Sequence, residues 1–221
     1  MQKWIFDIRS RPFFILVCAF VVVTFLVYSK ITQQFDEDAI LFFHSIAGNQ
    51  ILDLFMLSVT EAGDVFYMLA FSGILVIIKK TRKIGVVLMI LLVLTTLLTG
   101  YIKCGVDRDR PNLIFSETMF PIEIAQDTFA LFCEGGANAS FPSGHAARAT
   151  VFGIVFGFVL SQRFPRGCYL VLLYPLFMSI SRLYVLQHFP MDVVGGAILG
   201  ILLTGVVTKK TKLHKIFELK T

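Results

Sequence analysis

The stretch that decides the fold is Lys79-Lys80-Thr81-Arg82-Lys83, then IGVVLMILLVLTTLLTGYI over residues 84–102, then Lys103. It is an uncharged, proline-free run closed by cations at both ends, close to the roughly 20 residues a helix needs to cross a bilayer. Lipid offers the backbone no hydrogen-bond partners, so a lone run of this kind must satisfy its own N–H and C=O groups as an α-helix. Comparable runs lie at Phe13 to Tyr28, Ile51 to Ile78, Ala146 to Leu160, Cys168 to Ile180 and Val193 to Val207, each bounded by charge, Pro or Gly. We read the chain as an all-α bundle of six transmembrane helices forming one domain over residues 1–221. Composition agrees: 56% of residues are hydrophobic and 16% charged, against about a quarter charged in soluble domains. With a mean hydropathy of +0.78, this excludes a soluble enzyme, a disordered chain and a disulfide-stapled mini-protein.

The shorter runs need flanking polar residues such as Ser143 or Arg182 to complete a crossing. The second is too long for one straight span and holds Asp53, Glu61, Gly63 and Asp64, so its first part is expected at the interface before the crossing begins. The first run follows Lys3, Arg9 and Arg11 and ends in a passable cleavage site at Val27, Tyr28 and Ser29. We read it as a retained span, and its removal would not move the others.

Orientation follows from Lys and Arg in the connections. Fourteen of the twenty lie in Lys3 to Arg11, Lys79 to Lys83, Arg163 to Arg166 and Lys209 to Lys220, which alternate with the other connecting segments. Both termini are therefore expected in the cytoplasm of a multi-pass cell-membrane protein. The net charge of +5 is a set of topology anchors and not a nucleic-acid stripe, so no nucleic-acid partner is expected. The loop from Lys103 to Phe141 then lies outside, and a polar loop of that length is usually functional. A disulfide between Cys104 and Cys133 would suit an oxidising exterior, and two free thiols fit the sequence equally well.

Ionisable residues at membrane depth are functional hypotheses by default. Here they cluster at Lys103 and Arg110-Pro111, at Pro142-Ser143-Gly144-His145, and at Ser181-Arg182, His188 and Asp192. All fall at helix ends that the charge count places on the outer face. Ser143 suits a helix N-cap, and Gly144 lets an anion approach the free N–H groups of the first turn. Lys103, Arg110 and Arg182 supply cations, and the arginine fork matches phosphate oxygens. These cations are costly at apolar helix ends unless an anion visits them; the alternative is pairing with Asp107, Asp109 or lipid headgroups. His188 and Asp192 share a helix face, so the carboxylate can orient the imidazole as a nucleophile. His145 is then the proton donor to the leaving oxygen.

Lys103-x6-Arg110-Pro111, Pro142-Ser143-Gly144-His145 and Ser181-Arg182-x5-His188-x3-Asp192 resemble the three signature motifs of the type-2 phosphatidic acid phosphatase superfamily, the integral-membrane lipid phosphate phosphatases. The motif-bearing core is 103–192, and the six-span layout extends the likeness over most of the chain. The resemblance implies that Lys103, Arg110, Ser143, Gly144 and Arg182 bind phosphate. It implies that His188 forms a phosphohistidine, that Asp192 orients it and that His145 protonates the leaving alkoxide. The expected substrate is a lipid phosphate or diphosphate, namely phosphatidic acid, phosphatidylglycerol phosphate or a polyprenyl diphosphate. No cofactor is implied. Fixed cations replace the metal used by many phosphatases, and no His, Cys or carboxylate set has metal-site spacing.

A phosphotransferase using the same site is the main alternative. A transporter would carry its charges at mid-span, and the vanadate haloperoxidases that resemble these motifs are soluble. Arg148, one turn after His145, is placed to touch a headgroup or to pair with Glu134. His44 lies on an amphipathic segment, Asp36 to Ala47, read as an interfacial helix with His44 at its surface. Glu61 and Asp64 are expected to cap or hydrogen-bond within the bundle, and most of the 23 phenylalanines to face lipid. Nothing in the sequence specifies an oligomer.

Overall fold

The structure is a computed structural model that describes residues 7–111, 133 and 138–211. The expectations that fall on Lys3, Glu134 and the basic tail from Lys212 lie outside the described residues. Among those described, every regular element is helical: α1 (Arg11–Tyr28), α2 (Gln33–Ser45), α3 (Gln50–Glu61), α4 (Val65–Ile77), α5 (Arg82–Val106), α6 (Gly144–Ser161), a 3-10 turn (Gly167–Leu172) running into α7 (Leu173–Tyr184), and α8 (Pro190–Lys210). α1, α5, α6, α8 and the stretch Gly167–Tyr184 are each long and apolar enough to cross a bilayer. The bent pair α3 and α4 passes the same test only when taken together, as a broken span or a re-entrant loop, so the described residues offer five spans, or six where the pair counts as one. The chain is a multi-pass membrane protein.

The long second run breaks at residues 62–64, where its two helices meet at 57°. Gly63 sits so close to α6 and α7 that an added Cβ would lie 2.5 Å from Met178 Cε and 2.9 Å from the His145 ring. Asp64 then restarts the chain as N-cap of α4, accepting the Phe66 N–H. This is the capping role expected of Asp64, and it keeps the α3–α4 break against the bundle.

α5, α6 and α8 form the interior, where Leu88, Leu91, Val151, Val155 and Val207 pack together. Lipid tails are as apolar as leucine, so burial alone does not drive helices together in a bilayer, and small residues that permit close backbone approach take over. Gly196 and Gly200 of α8 do this against α6: an added Cβ would lie 2.3 Å from the Ser143 carbonyl oxygen and 2.6 Å from that of Ala147. Phe14, Phe25, Phe66 and Ile74 are exposed on the outside, where lipid would cover them. The basic segments Lys79 to Lys83, Arg163 to Arg166 and Lys209 to Lys210 gather at one end of the bundle, where Lys209 pairs with Asp7 at 2.8 Å.

Gly196→Val should force α8 from the start of α6 and cost about 1–3 kcal/mol of stability, read as a lower Tm in detergent. Gly73→Ala in α4, with nothing within 4 Å of its added Cβ, should leave Tm unchanged or raise it.

Candidate active site

Each of the three motif segments lies at the end of the bundle opposite the basic connections, and each is set there by local chain geometry. α5 ends because Asp107 adopts the left-handed conformation (φ 48°), its N–H bonding back to the Lys103 carbonyl at 2.9 Å. Lys103 is thereby left buried in the last helical turn. Beyond it, Asp109 bridges antiparallel to Ala139, and the Ser140 N–H donates to the Arg108 carbonyl at 2.7 Å. This short antiparallel pairing ties the segment that carries Arg110 to the segment that leads into Pro142 and Ser143. Cys104 and Cys133 are joined by a disulfide, with Cα atoms 5.9 Å apart, that clips the same region to α5.

Ser143 is the N-cap of α6, its hydroxyl accepting the Ala146 N–H at 3.4 Å. Its own N–H donates to the Asp192 carbonyl at 2.9 Å, which ties the second motif to the third. Between α7 and α8 the chain turns sharply: Leu186 takes a left-handed φ of 53°, and the Arg182 carbonyl accepts the N–H groups of Gln187 and His188. Ile40 and Phe189 pack on Leu186 and hold it there. The Asp192 carboxylate accepts the Phe189 N–H at 2.8 Å, closing the first turn of α8.

The result is a buried polar cluster. Lys103, Arg110, Ser143, His145, Arg148, Arg182, His188 and Asp192 are all nearly or fully excluded from solvent. Arg110 donates to the Gln187 side chain. His188 has no exposed surface, and among the described residues neither ring nitrogen has a hydrogen-bond partner. Its Nδ1 faces Asp192 Oδ2 at 3.7 Å, too long for a hydrogen bond; the nearest oxygen is already committed to the Phe189 N–H. Burial, and then the positive charges of Arg182, Arg110, Lys103 and His145, hold the His188 imidazole well below its ordinary value of 6.5. A buried imidazole kept neutral and surrounded by cations retains the lone pair that nucleophilic chemistry requires.

All eight residues expected from the sequence thus lie within one end of the bundle. Arg148, whose candidate partner Glu134 lies outside the described residues, donates to the Gly63 carbonyl at 3.3 Å and lies 3.4 Å from His145 Nδ1. That turns the other nitrogen of His145, Nε2, away from Arg148. His44 is half-buried on α2. Two residues not assigned to the site belong beside it. Arg108 donates to Asp192 Oδ1 at 2.9 Å and to Asp36 Oδ2 at 2.7 Å, and Asp36 is fully buried. The only sequence signal was Arg108 standing two positions before Arg110 in an extended stretch, and it does not name the carboxylates. Among the described residues, no group of three or more His, Cys, Asp or Glu side chains is placed to hold a metal ion.

Residues 83–215 match the model of the PAP2 superfamily. The chain belongs to the PAP2 superfamily. One PAP2 relative is an undecaprenyl-diphosphatase of Sulfolobus acidocaldarius, 26% identical over 197 residues that cover 87% of each chain. A lipid A 1-phosphatase of Rhizobium johnstonii is 31% identical over 127 residues, 56% of this chain and 48% of that protein. The fold is similar to the crystal structure of a transmembrane PAP2-type phosphatidylglycerolphosphate phosphatase from Bacillus subtilis, with a TM-score of 0.72 at 22% identity, covering 98% of this chain and all of that one. It is also similar to Aquifex aeolicus LpxE, with a TM-score of 0.59 at 22% identity over 79% of this chain and 95% of that one.

A cluster of this charge should take a tetrahedral oxyanion. Orthovanadate or inorganic phosphate should raise the Tm of the detergent-solubilised protein saturably, and Arg182→Ala should weaken that binding by about 2 kcal/mol or more.

Proposed function

We propose that this PAP2 protein is a metal-independent lipid phosphatase that hydrolyses a membrane lipid phosphate or diphosphate through a phosphohistidine on His188. The observation that carries the reading is the buried His188, with both ring nitrogens unbonded amid the charges of Lys103, Arg110 and Arg182. The two-ended architecture, an apolar belt with a buried polar cluster at one end, suits a substrate with a phosphorylated head and hydrocarbon tail that enters sideways between helices. The relatives' named substrates are lipid phosphates or diphosphates, and the one matched along most of its length makes a polyprenyl diphosphate the first to test.

In the first step Lys103, Arg110, Arg182, the Ser143 hydroxyl and the Gly144 N–H hold the phosphoryl oxygens. His188 Nε2 attacks phosphorus; the P–N bond forms as the bond to the leaving oxygen breaks, and His145 gives that oxygen its proton. Asp192 keeps Nδ1 turned toward itself and stabilises the positive charge arriving on the ring. In the second step water attacks the phosphohistidine, gives a proton to His145, and inorganic phosphate departs with His188 restored. Charge in such a transition state spreads over the equatorial oxygens, so fixed cations do the stabilising.

Two observations support a cell-membrane protein with its site on the extracytoplasmic face and both ends of the chain in the cytoplasm. The basic connections lie at the opposite end of the bundle, as the positive-inside rule requires of a cytoplasmic side. The Cys104–Cys133 disulfide lies at the site end, and disulfides persist in oxidising compartments.

The test is phosphate release by the purified protein in EDTA from a polyprenyl diphosphate, phosphatidylglycerol phosphate and phosphatidic acid. His188→Ala should lose about 10³-fold or more in kcat. Protonation removes the lone pair of His188, and burial among cations opposes it. The acid limb of kcat/KM should therefore fall below pH 6.5. Wild-type release by His188→Ala, or an acid limb centred above that value, would contradict the reading.

A further inference from the structure

Arg108 and Asp36 stand behind the proposed acid–histidine pair. From the turn after α5, Arg108 donates one Nη to Asp192 Oδ1 at 2.9 Å. Its other Nη donates to Asp36 Oδ2 at 2.7 Å and to Gln33 Oε1 at 3.2 Å, both on α2. The guanidinium lies 4.1 Å from the centre of the Phe189 ring, a cation–π contact that fixes its plane. Asp36 is held from three sides: Arg108, the Thr32 hydroxyl at 3.1 Å, and the Met191 N–H at 3.1 Å in the first turn of α8. Both carboxylates are fully buried, and the Arg108 side chain is 9% exposed.

Two buried carboxylates that share one arginine are stable as a unit and not separately. Asp192 can present Oδ2 to His188 only while its other oxygen is held and its charge balanced. Without Arg108 it would face a second buried anion, Asp36, across a site with no cation between them.

We propose that Arg108 and Asp36 are positioning residues, which set the orientation of Asp192 toward His188 and thereby make α2 a working part of the catalytic end of the bundle. The inference rests on the phosphohistidine reading above. It assigns α2 a role beyond that of an interfacial helix: Asp36 and Ile40, one turn apart, latch it onto the turn that carries His188.

The experiment compares wild type, Arg108→Ala, Asp36→Asn, the double variant and His188→Ala in phosphate release from a polyprenyl diphosphate in detergent, with orthovanadate binding measured on each. Arg108→Ala should lose about 10- to 100-fold in kcat, with KM and orthovanadate affinity unchanged. Adding Asp36→Asn to it should restore part of that loss, because the repelling carboxylate is gone. A role in packing alone predicts further loss in the double variant. Should Arg108→Ala fail to fold, Arg108→Lys carries the same comparison, since a single ammonium cannot bridge both carboxylates as the fork does. Wild-type kcat in the arginine variants, a loss confined to KM, or a double variant no better than the single one would overturn the inference. Activity retained by His188→Ala would instead overturn the phosphohistidine reading, and the two failures are thus told apart.

Discussion

The structure turns on the cost of placing an imidazole and several cations inside an apolar bundle. Charges at the end of a membrane helix are tolerated when they reach water or one another, yet Lys103, Arg110, Arg182 and His188 are withdrawn from solvent. Three chain segments converge to hold them. Asp107 ends α5 in a left-handed turn, the Asp109–Ala139 bridge folds the following segment back, and the Leu186 turn delivers His188. Each is a backbone device, so the side chains are aimed before any substrate arrives. Such preorganisation is what electrostatic stabilisation of a phosphoryl transition state requires.

Close helix approach serves the same end. Gly196 and Gly200 let α8 lie against the backbone at the start of α6, and the Ser143 N–H reaches the Asp192 carbonyl because of it. A larger residue at 196 would push the second motif from the third, although neither would lose a side chain. The fold and the chemistry are coupled through backbone distance.

Much of this was legible in the sequence. Apolar runs announced the helices, and the three motifs marked the ends at which polar chemistry gathers. Less legible were features that depend on contacts between distant segments. The break at Gly63 was signalled only as an over-long run, because the reason for it is the proximity of Met178 and His145. Asp36 read as an ordinary acidic residue on an amphipathic segment; its burial depends on Arg108 and the Met191 N–H, which periodicity cannot supply. Asp192 was expected to orient the His188 ring; the two stand 3.7 Å apart, and the engagement of the carboxylate by Phe189 and Arg108 was not legible. The disulfide, left open between bonded and free cysteines, required the approach of Cys133 to the end of α5.

The central claim is that the buried, cation-ringed imidazole is itself phosphorylated. The most direct measurement is a rapid quench of the enzyme with substrate labelled in its phosphoryl group, under alkaline conditions that preserve phosphohistidine, followed by peptide mass spectrometry. A base-stable, acid-labile phosphoryl group on His188 that forms and decays within one turnover is the predicted result. Turnover with no label on the protein, or with label on another residue, would contradict the account.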